Sequence, residues 1–212
     1  AGISGYFAAL HAAKEGRKVL IVDKRTSPGY DIYAKRKLWL DADGFEDLGT
    51  ELTQLFLPEG ENQEIKNESG KGRNASTYED EVLLFSGSIR KGMLRNLLVN
   101  QVHVMLMTDV CGVLSDKNAV SGVLLANKHG LHTVNCKNFI DASDQVLFSR
   151  DLLDQSYQIQ RAGFVLEVNK AQNPEKKVVR VSPELGLYDN KLLFHKGKLS
   201  DDQLFLEFEF KV

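Results

Sequence analysis

The sequence predicts an α/β domain followed by the opening of an antiparallel, β-rich one. Three observations predict it. A glycine turn, a helix rich in small residues and an apolar strand closed by an acid succeed one another over residues 1–23. Three short β-prone segments divided by turns occupy residues 110–136. Separated β segments then fill the chain from Ala162 onward. A length of 212 residues has room for one large domain, or one domain and part of another.

Composition narrows the classes. Hydrophobic residues make up 42% and charged residues 26%, which suits a folded chain and excludes disorder, collagen-like repeats and a disulfide scaffold. The 27 basic and 29 acidic residues leave a net charge of −2, so no basic excess recommends a nucleic-acid partner. No apolar run approaches the roughly 18 residues of a membrane span. Cys111 and Cys136 lack metal-type spacing and read as two buried thiols. No secretory signal is legible, which makes a cytoplasmic location the default expectation.

The first element carries the most chemistry. Ala1-Gly2-Ile3-Ser4-Gly5 is a glycine turn that opens a helix running to about Glu15, with Gly16 suited to its C-terminus. Lys18-Val19-Leu20-Ile21-Val22-Asp23 follows as a buried strand ending in an acid. One glycine ahead of Ala1 would complete G-x-G-x-x-G, so the chain reads as a fragment that starts inside its own motif. Gly2 would let the backbone approach a pyrophosphate, and Gly5 would let the helix pack closely on the sheet. Helix N-termini offer free N–H groups and a partial positive charge to phosphates. Asp23 can accept hydrogen bonds from a ribose diol and would repel a 2′-phosphate, which favours FAD or NAD over NADP.

Gly2-Ile3-Ser4-Gly5 through Asp23-Lys24-Arg25 resembles the FAD-binding fingerprint of the glutathione-reductase-type flavoprotein superfamily. Within it the chain is most similar to the broad group of bacterial FAD-dependent oxidoreductases. The resemblance implies a Rossmann-like FAD-binding domain with a β-meander, spanning residues 1–148. It further implies that residues 149–212 begin a β-rich substrate domain. A polar stretch at about 41–81 reads as an insertion. Asn67 and Asn74 within it open N-x-S sequons, taken as coincidental.

The next elements extend the match. Ser86 to Asn100 is an amphipathic helix with Ile89, Met93, Leu94, Leu97 and Leu98 at helical spacing. Val102–Met107 is a strand, and Val110–Ser115, Ala119–Ala126 and Leu131–Cys136 form the meander. Asn138-Phe139-Ile140-Asp141-Ala142-Ser143 reads as a buried strand. Its end resembles the family's strand running into Ala-Thr-Gly, with Asp144 where the glycine would be.

The resemblance also implies site residues. The backbone of Val110 would lie near the adenine, and Ala142 would border the cofactor. Lys91 matches a basic helix position that approaches the pyrophosphate in many relatives. Arg90 competes with it for that role, and a solvated surface lysine is the other reading of Lys91. After Asp23 many relatives carry a paired-glycine segment; here Ser27-Pro28-Gly29-Tyr30-Asp31 has one glycine. Tyr30, Tyr33 and Trp39 could stack near a ligand or pack in the core. The family's closing Gly-Asp segment does not occur in these residues.

In the last third Gly163–Val168, Lys177–Val181, Lys191–His195 and Gln203–Val212 read as strands. The alternation Phe205-Leu206-Glu207-Phe208-Glu209-Phe210-Lys211 suits an antiparallel strand with one wet face. His129 and His132 lack further metal ligands, and His195 reads as a satisfied or surface histidine rather than a proton-transfer group. The expectation is therefore an FAD-dependent oxidoreductase acting on a small molecule, with catalytic residues and electron acceptor unassigned. Two alternatives stay open: an NAD-dependent dehydrogenase, and a cofactor-free structural or interaction module.

Overall fold

Small residues let the first helix lie close to its strand. In the computed structural model α1 spans Ile3–Lys14 and buries Gly5, Tyr6, Ala9 and Leu10. Gly16, at φ +72°, ends it as the sequence predicts, its amide donating to the carbonyl of Ala13 at 2.9 Å. The structure describes residues 2–41, 81–83, 86–117, 119–143, 148, 161–169, 177–197 and 200–211. The interior of the predicted polar insertion and both sequons lie outside the described residues.

Contacts divide the chain into two units. The first joins Ala1–Asp31 to Arg90–Ser156, and the second joins Ile32–Ile89 to Tyr157–Val212. Each is built from two separated stretches of chain, whereas the sequence places a single boundary after residue 148.

In the first unit β1 (Leu20–Val22) pairs in parallel with β4 (His103–Met105), Leu20 opposite His103. The helix before β4, labelled α3 once α2 (Tyr30–Tyr33) is counted, spans Ser86–Val99 and belongs to this unit from Arg90 onward. Its apolar stripe buries Met93 and Leu97, while Asn96 Nδ2 donates to the Tyr6 hydroxyl at 3.1 Å. Gln101, at φ +58°, turns the chain out of α3, and the Val102 amide donates to the carbonyl of Leu97.

The meander forms where the turns predict it. β5 (Asp109–Asp116), β6 (Ala119–Asn127) and β7 (Gly130–Asn135) make a three-stranded antiparallel sheet with β6 in the centre. Val123 and Leu125 alternate onto its buried face, and a bulge between Val110 and Gly112 shifts the register. Cys111 is exposed and Cys136 half-buried, both as free thiols, which corrects the expectation of two buried ones.

The strand predicted at 138–143 is absent. Its described residues make no ladder, and Ile140 is 65% exposed. Asp141 explains the conformation. Its Oδ1 accepts from the Ser143 amide at 3.1 Å and the Ser143 hydroxyl at 2.6 Å, and its Oδ2 from the Phe148 amide at 2.8 Å. A side chain that satisfies local amides competes with strand pairing and turns the chain instead.

The second unit holds a four-stranded antiparallel sheet in the order β8-β11-β10-β9. Its strands are β8 (Arg161–Val168), β9 (Val178–Arg180), β10 (Lys191–Lys196) and β11 (Leu204–Lys211). β2 (Trp39–Asp41) and β3 (Glu81–Leu83) add a two-stranded antiparallel ribbon. The face of β11 expected to be wet is so only toward its end: Glu207 is 7% exposed, Glu209 half-buried and Lys211 exposed. Conversely Phe164, Leu166 and Val168, on one side of β8, are exposed.

Candidate functional site

Helix α1 starts without a cap of its own. Gly2 occupies the N-cap with no side chain to offer, and no acid lies in the first turn. A helix N-terminus carries several amides without intrahelical partners, so something must satisfy them. Here Asp31 does so from 28 residues away: the Ile3 amide donates to its Oδ2 at 3.0 Å. The same oxygen lies 2.6 Å from the point where a Cβ on Gly2 would stand. A side chain at position 2 would meet the Asp31 carboxylate, which would have to shift. Ser4 is exposed and Gly5 buried against the unit's core.

Asp23 closes β1. It is 6% exposed, and its backbone is fixed on both sides, its amide donating to the carbonyl of Met105 and its carbonyl accepting from Thr108. Its Oδ1 accepts from the Arg25 amide at 2.8 Å, and the Arg25 guanidinium approaches it at 3.9 Å. That guanidinium also lies 3.6 Å over the ring of Tyr30, a cation–π contact that anchors the segment before α2. Lys24 is exposed.

Of the two basic residues opening this part of α3, Arg90 reaches the loop after Asp23, its Nε donating to Ser27 Oγ at 3.1 Å. Lys91 is exposed. Val110 sits at the start of β5, paired with Leu125 beside the bulge, and Ala142 is half-buried in the turn held by Asp141. Within the first unit, then, Gly2 and Ile3 meet Asp31, and the Arg25–Tyr30 pair precedes Asp31 directly in the chain. The role of Asp31 is not written in any spacing. The signal that could have revealed it is the uncapped, acid-free start of α1, which demands an acceptor from elsewhere.

The second unit gathers another set of charges. His195 is 3% exposed within β10 and its Nε2 lies 3.2 Å from Glu207 Oε2. Lys37 Nζ contacts the other oxygen, Oε1, at 2.6 Å. The indole of Trp39 stacks on the imidazole with centroids 3.6 Å apart and planes 12° apart. Burial raises the Glu207 pKa, but the hydrogen bonds and charges of His195 and Lys37 outweigh it and bring it down to about 2. Nearby, Glu167 takes a hydrogen bond from Gln203 Nε2 at 2.6 Å and an ion pair from Arg36 at 3.2 Å. Among the described residues no group of three metal-ligating side chains occurs.

A helix opened by glycine, laid against a parallel strand that ends in a buried acid, and followed by a β-meander, is the architecture of a dinucleotide-binding flavoprotein domain. The sequence matches the family described as FAD dependent oxidoreductase over residues 1–147, and the chain belongs to that family. No curated protein matches it. Among solved structures it is similar to a geranylgeranyl bacteriochlorophyll reductase-like protein from Thermoplasma acidophilum. That match has a TM-score of 0.67 at 15% identity and covers 99% of this chain and 54% of the other. An anhydrotetracycline hydroxylase from Streptomyces rimosus gives a TM-score of 0.62 at 13% identity, over 99% of this chain and 43% of the other. A glycine oxidase from Bacillus cereus gives 0.59 at 13%, over 99% and 71%. The chain thus spans about half the length of the first structures it resembles.

The residues present fit the family's cofactor. The Ile3 amide at the helix N-terminus holds a carboxylate oxygen, as it would a phosphate oxygen, and the acid at the end of β1 is buried and fixed.

Proposed function

We propose that this protein is an FAD-dependent oxidoreductase acting on a small-molecule substrate. The observation that carries the reading is a glycine-opened helix N-terminus whose Ile3 amide holds the carboxylate oxygen of Asp31, within the stretch that matches the family. In this reading Gly2, Ile3, Ser4 and Gly5 hold the pyrophosphate, with their amides and the helix dipole opposing its charge. Asp23 receives the adenosine ribose, with Lys24 at the rim. Val110 borders the adenine, Ala142 borders the cofactor, and Lys91 or Arg90 screens the phosphates from α3. The first unit is the cofactor-binding part, and the antiparallel sheet of the second belongs to the substrate-binding part.

When bound, the flavin supplies the redox chemistry; the protein's contribution is position, electrostatics and exclusion of water. Among the described residues no helix is long and apolar enough to cross a membrane.

The test is a visible spectrum of the full-length protein, with identification of any released chromophore. Flavin absorption and recovered FAD support the reading, whereas a colourless protein that FAD cannot reconstitute refutes it. Gly2→Val is expected to abolish flavin retention, because its side chain projects into the cradle. Unchanged flavin stoichiometry in that variant would remove Gly2 from the site.

A further inference from the structure

The segment after Asp23 is built to deliver a carboxylate. Ser27 and Pro28 are buried, and Ser27 Oγ accepts from Arg90 Nε. Gly29, at φ +83°, makes a turn that a side chain would strain. Tyr30 is held under the Arg25 guanidinium at 3.6 Å, and α2 begins there. This scaffold places Asp31 with Oδ2 on the Ile3 amide and Oδ1 buried without a hydrogen-bond partner among the described residues.

That arrangement is half satisfied. One oxygen takes a helix-terminal N–H and the favourable end of the dipole, while the other is withdrawn from water with no donor among the described residues. A purely structural cap has no use for the second cost. A group with more acceptor oxygens, presented to the same helix end, would outcompete it. The Asp31 carboxyl carbon stands 3.0 Å, and its oxygens 2.6 and 3.1 Å, from the Cβ point of Gly2. Two anionic groups cannot share that space.

We propose that Asp31 is an internal stand-in for the cofactor's pyrophosphate, seated on α1 when the dinucleotide is absent and displaced when it binds. Asp31 thereby sets cofactor affinity: binding must break the Ile3–Asp31 bond and move the carboxylate clear of a second anion. The inference rests on the reading of α1 as the FAD site given above.

The test compares FAD binding to the full-length protein stripped of flavin with binding to Asp31→Asn and Asp31→Ala, by isothermal titration. Asn keeps an acceptor for the Ile3 amide and loses the charge. Both variants are expected to bind FAD roughly tenfold more tightly. In parallel, the thermal midpoint of the flavin-free protein is expected to fall more in Ala than in Asn. Equal or weaker FAD binding by Asp31→Asn overturns the proposal and leaves Asp31 a helix cap. Inorganic pyrophosphate is the second probe. If none of the proteins binds FAD, a rise in midpoint with pyrophosphate in Asp31→Asn but not in the unsubstituted protein upholds displacement and refutes the FAD reading. No such rise in either overturns both.

Discussion

Asp23 has two tasks that substitution can separate. Its Oδ1 holds the Arg25 amide, which shapes the turn after β1, and its buried position at the strand end suits it to accept ribose hydroxyls. Asp23→Ala removes both functions, so loss of affinity alone would be ambiguous. Asp23→Asn retains an acceptor for the Arg25 amide and gives up the charge-assisted bonds to a diol. Charged hydrogen bonds contribute about 1.5–3 kcal/mol each, so Asp23→Asn is expected to weaken FAD binding by about tenfold or more. Its thermal midpoint should stay close to that of the unsubstituted protein. FAD titration of Asp23→Asn checks this, and undiminished affinity would exclude Asp23 as the ribose acceptor.

At the scale of the element, the meander supplies its own control. A Cβ on Gly122 would lie 2.8 Å from the backbone carbonyl oxygen of Val134 on β7, whereas one on Gly112 in β5 would meet nothing within 4 Å. A carbonyl in a ladder cannot step aside as a flexible side chain can. Gly122→Ala is therefore expected to destabilise the protein by about 1–3 kcal/mol through strain across β6 and β7. Gly112→Ala should be neutral or stabilising by up to about 1 kcal/mol, because it only narrows the unfolded ensemble. Urea denaturation of both variants decides the matter; equal midpoints would mean that β7 yields freely.

These strands were legible because β-prone composition and the turns at Asp116-Lys117-Asn118 and Asn127–Gly130 are local signals. α1, β1 and α3 were legible for the same reason. The segment 138–143 looked like a strand because Phe139 and Ile140 are apolar, yet one carboxylate, Asp141, has more to gain from nearby amides than a ladder offers. The role of Asp31 is not legible in sequence because its partner lies 28 residues back, and no periodicity records such a pairing.

Over the whole molecule, long-range electrostatics decides what pattern alone cannot. The alternation in β11 assigns Glu207 to a wet face, but the chain returns Lys37 and His195 to it from 170 and 12 residues away. Trp39 covers the imidazole. Each oxygen of the buried carboxylate thus has a partner that offsets part of its desolvation. It also explains why the second unit draws on residues near 37 as well as on the last third of the chain.

A pH dependence follows from the lowered pKa. Glu207 falls from an ordinary 4.5 to about 2 in the folded protein, so the unfolded chain binds its proton first as pH drops. The stability this group contributes is fully present above about pH 4.5 and is lost progressively as pH falls through about 2. Glu207→Gln should flatten that part of the acid limb while lowering stability at neutral pH, where His195 and Lys37 lose their anionic partner. Urea unfolding free energies of both proteins from neutral pH down to about pH 2 measure the difference. The gap between the two curves is expected to close toward the acid end. A gap that stays constant across this range would show that Glu207 stabilises the second unit by shape alone, without its charge.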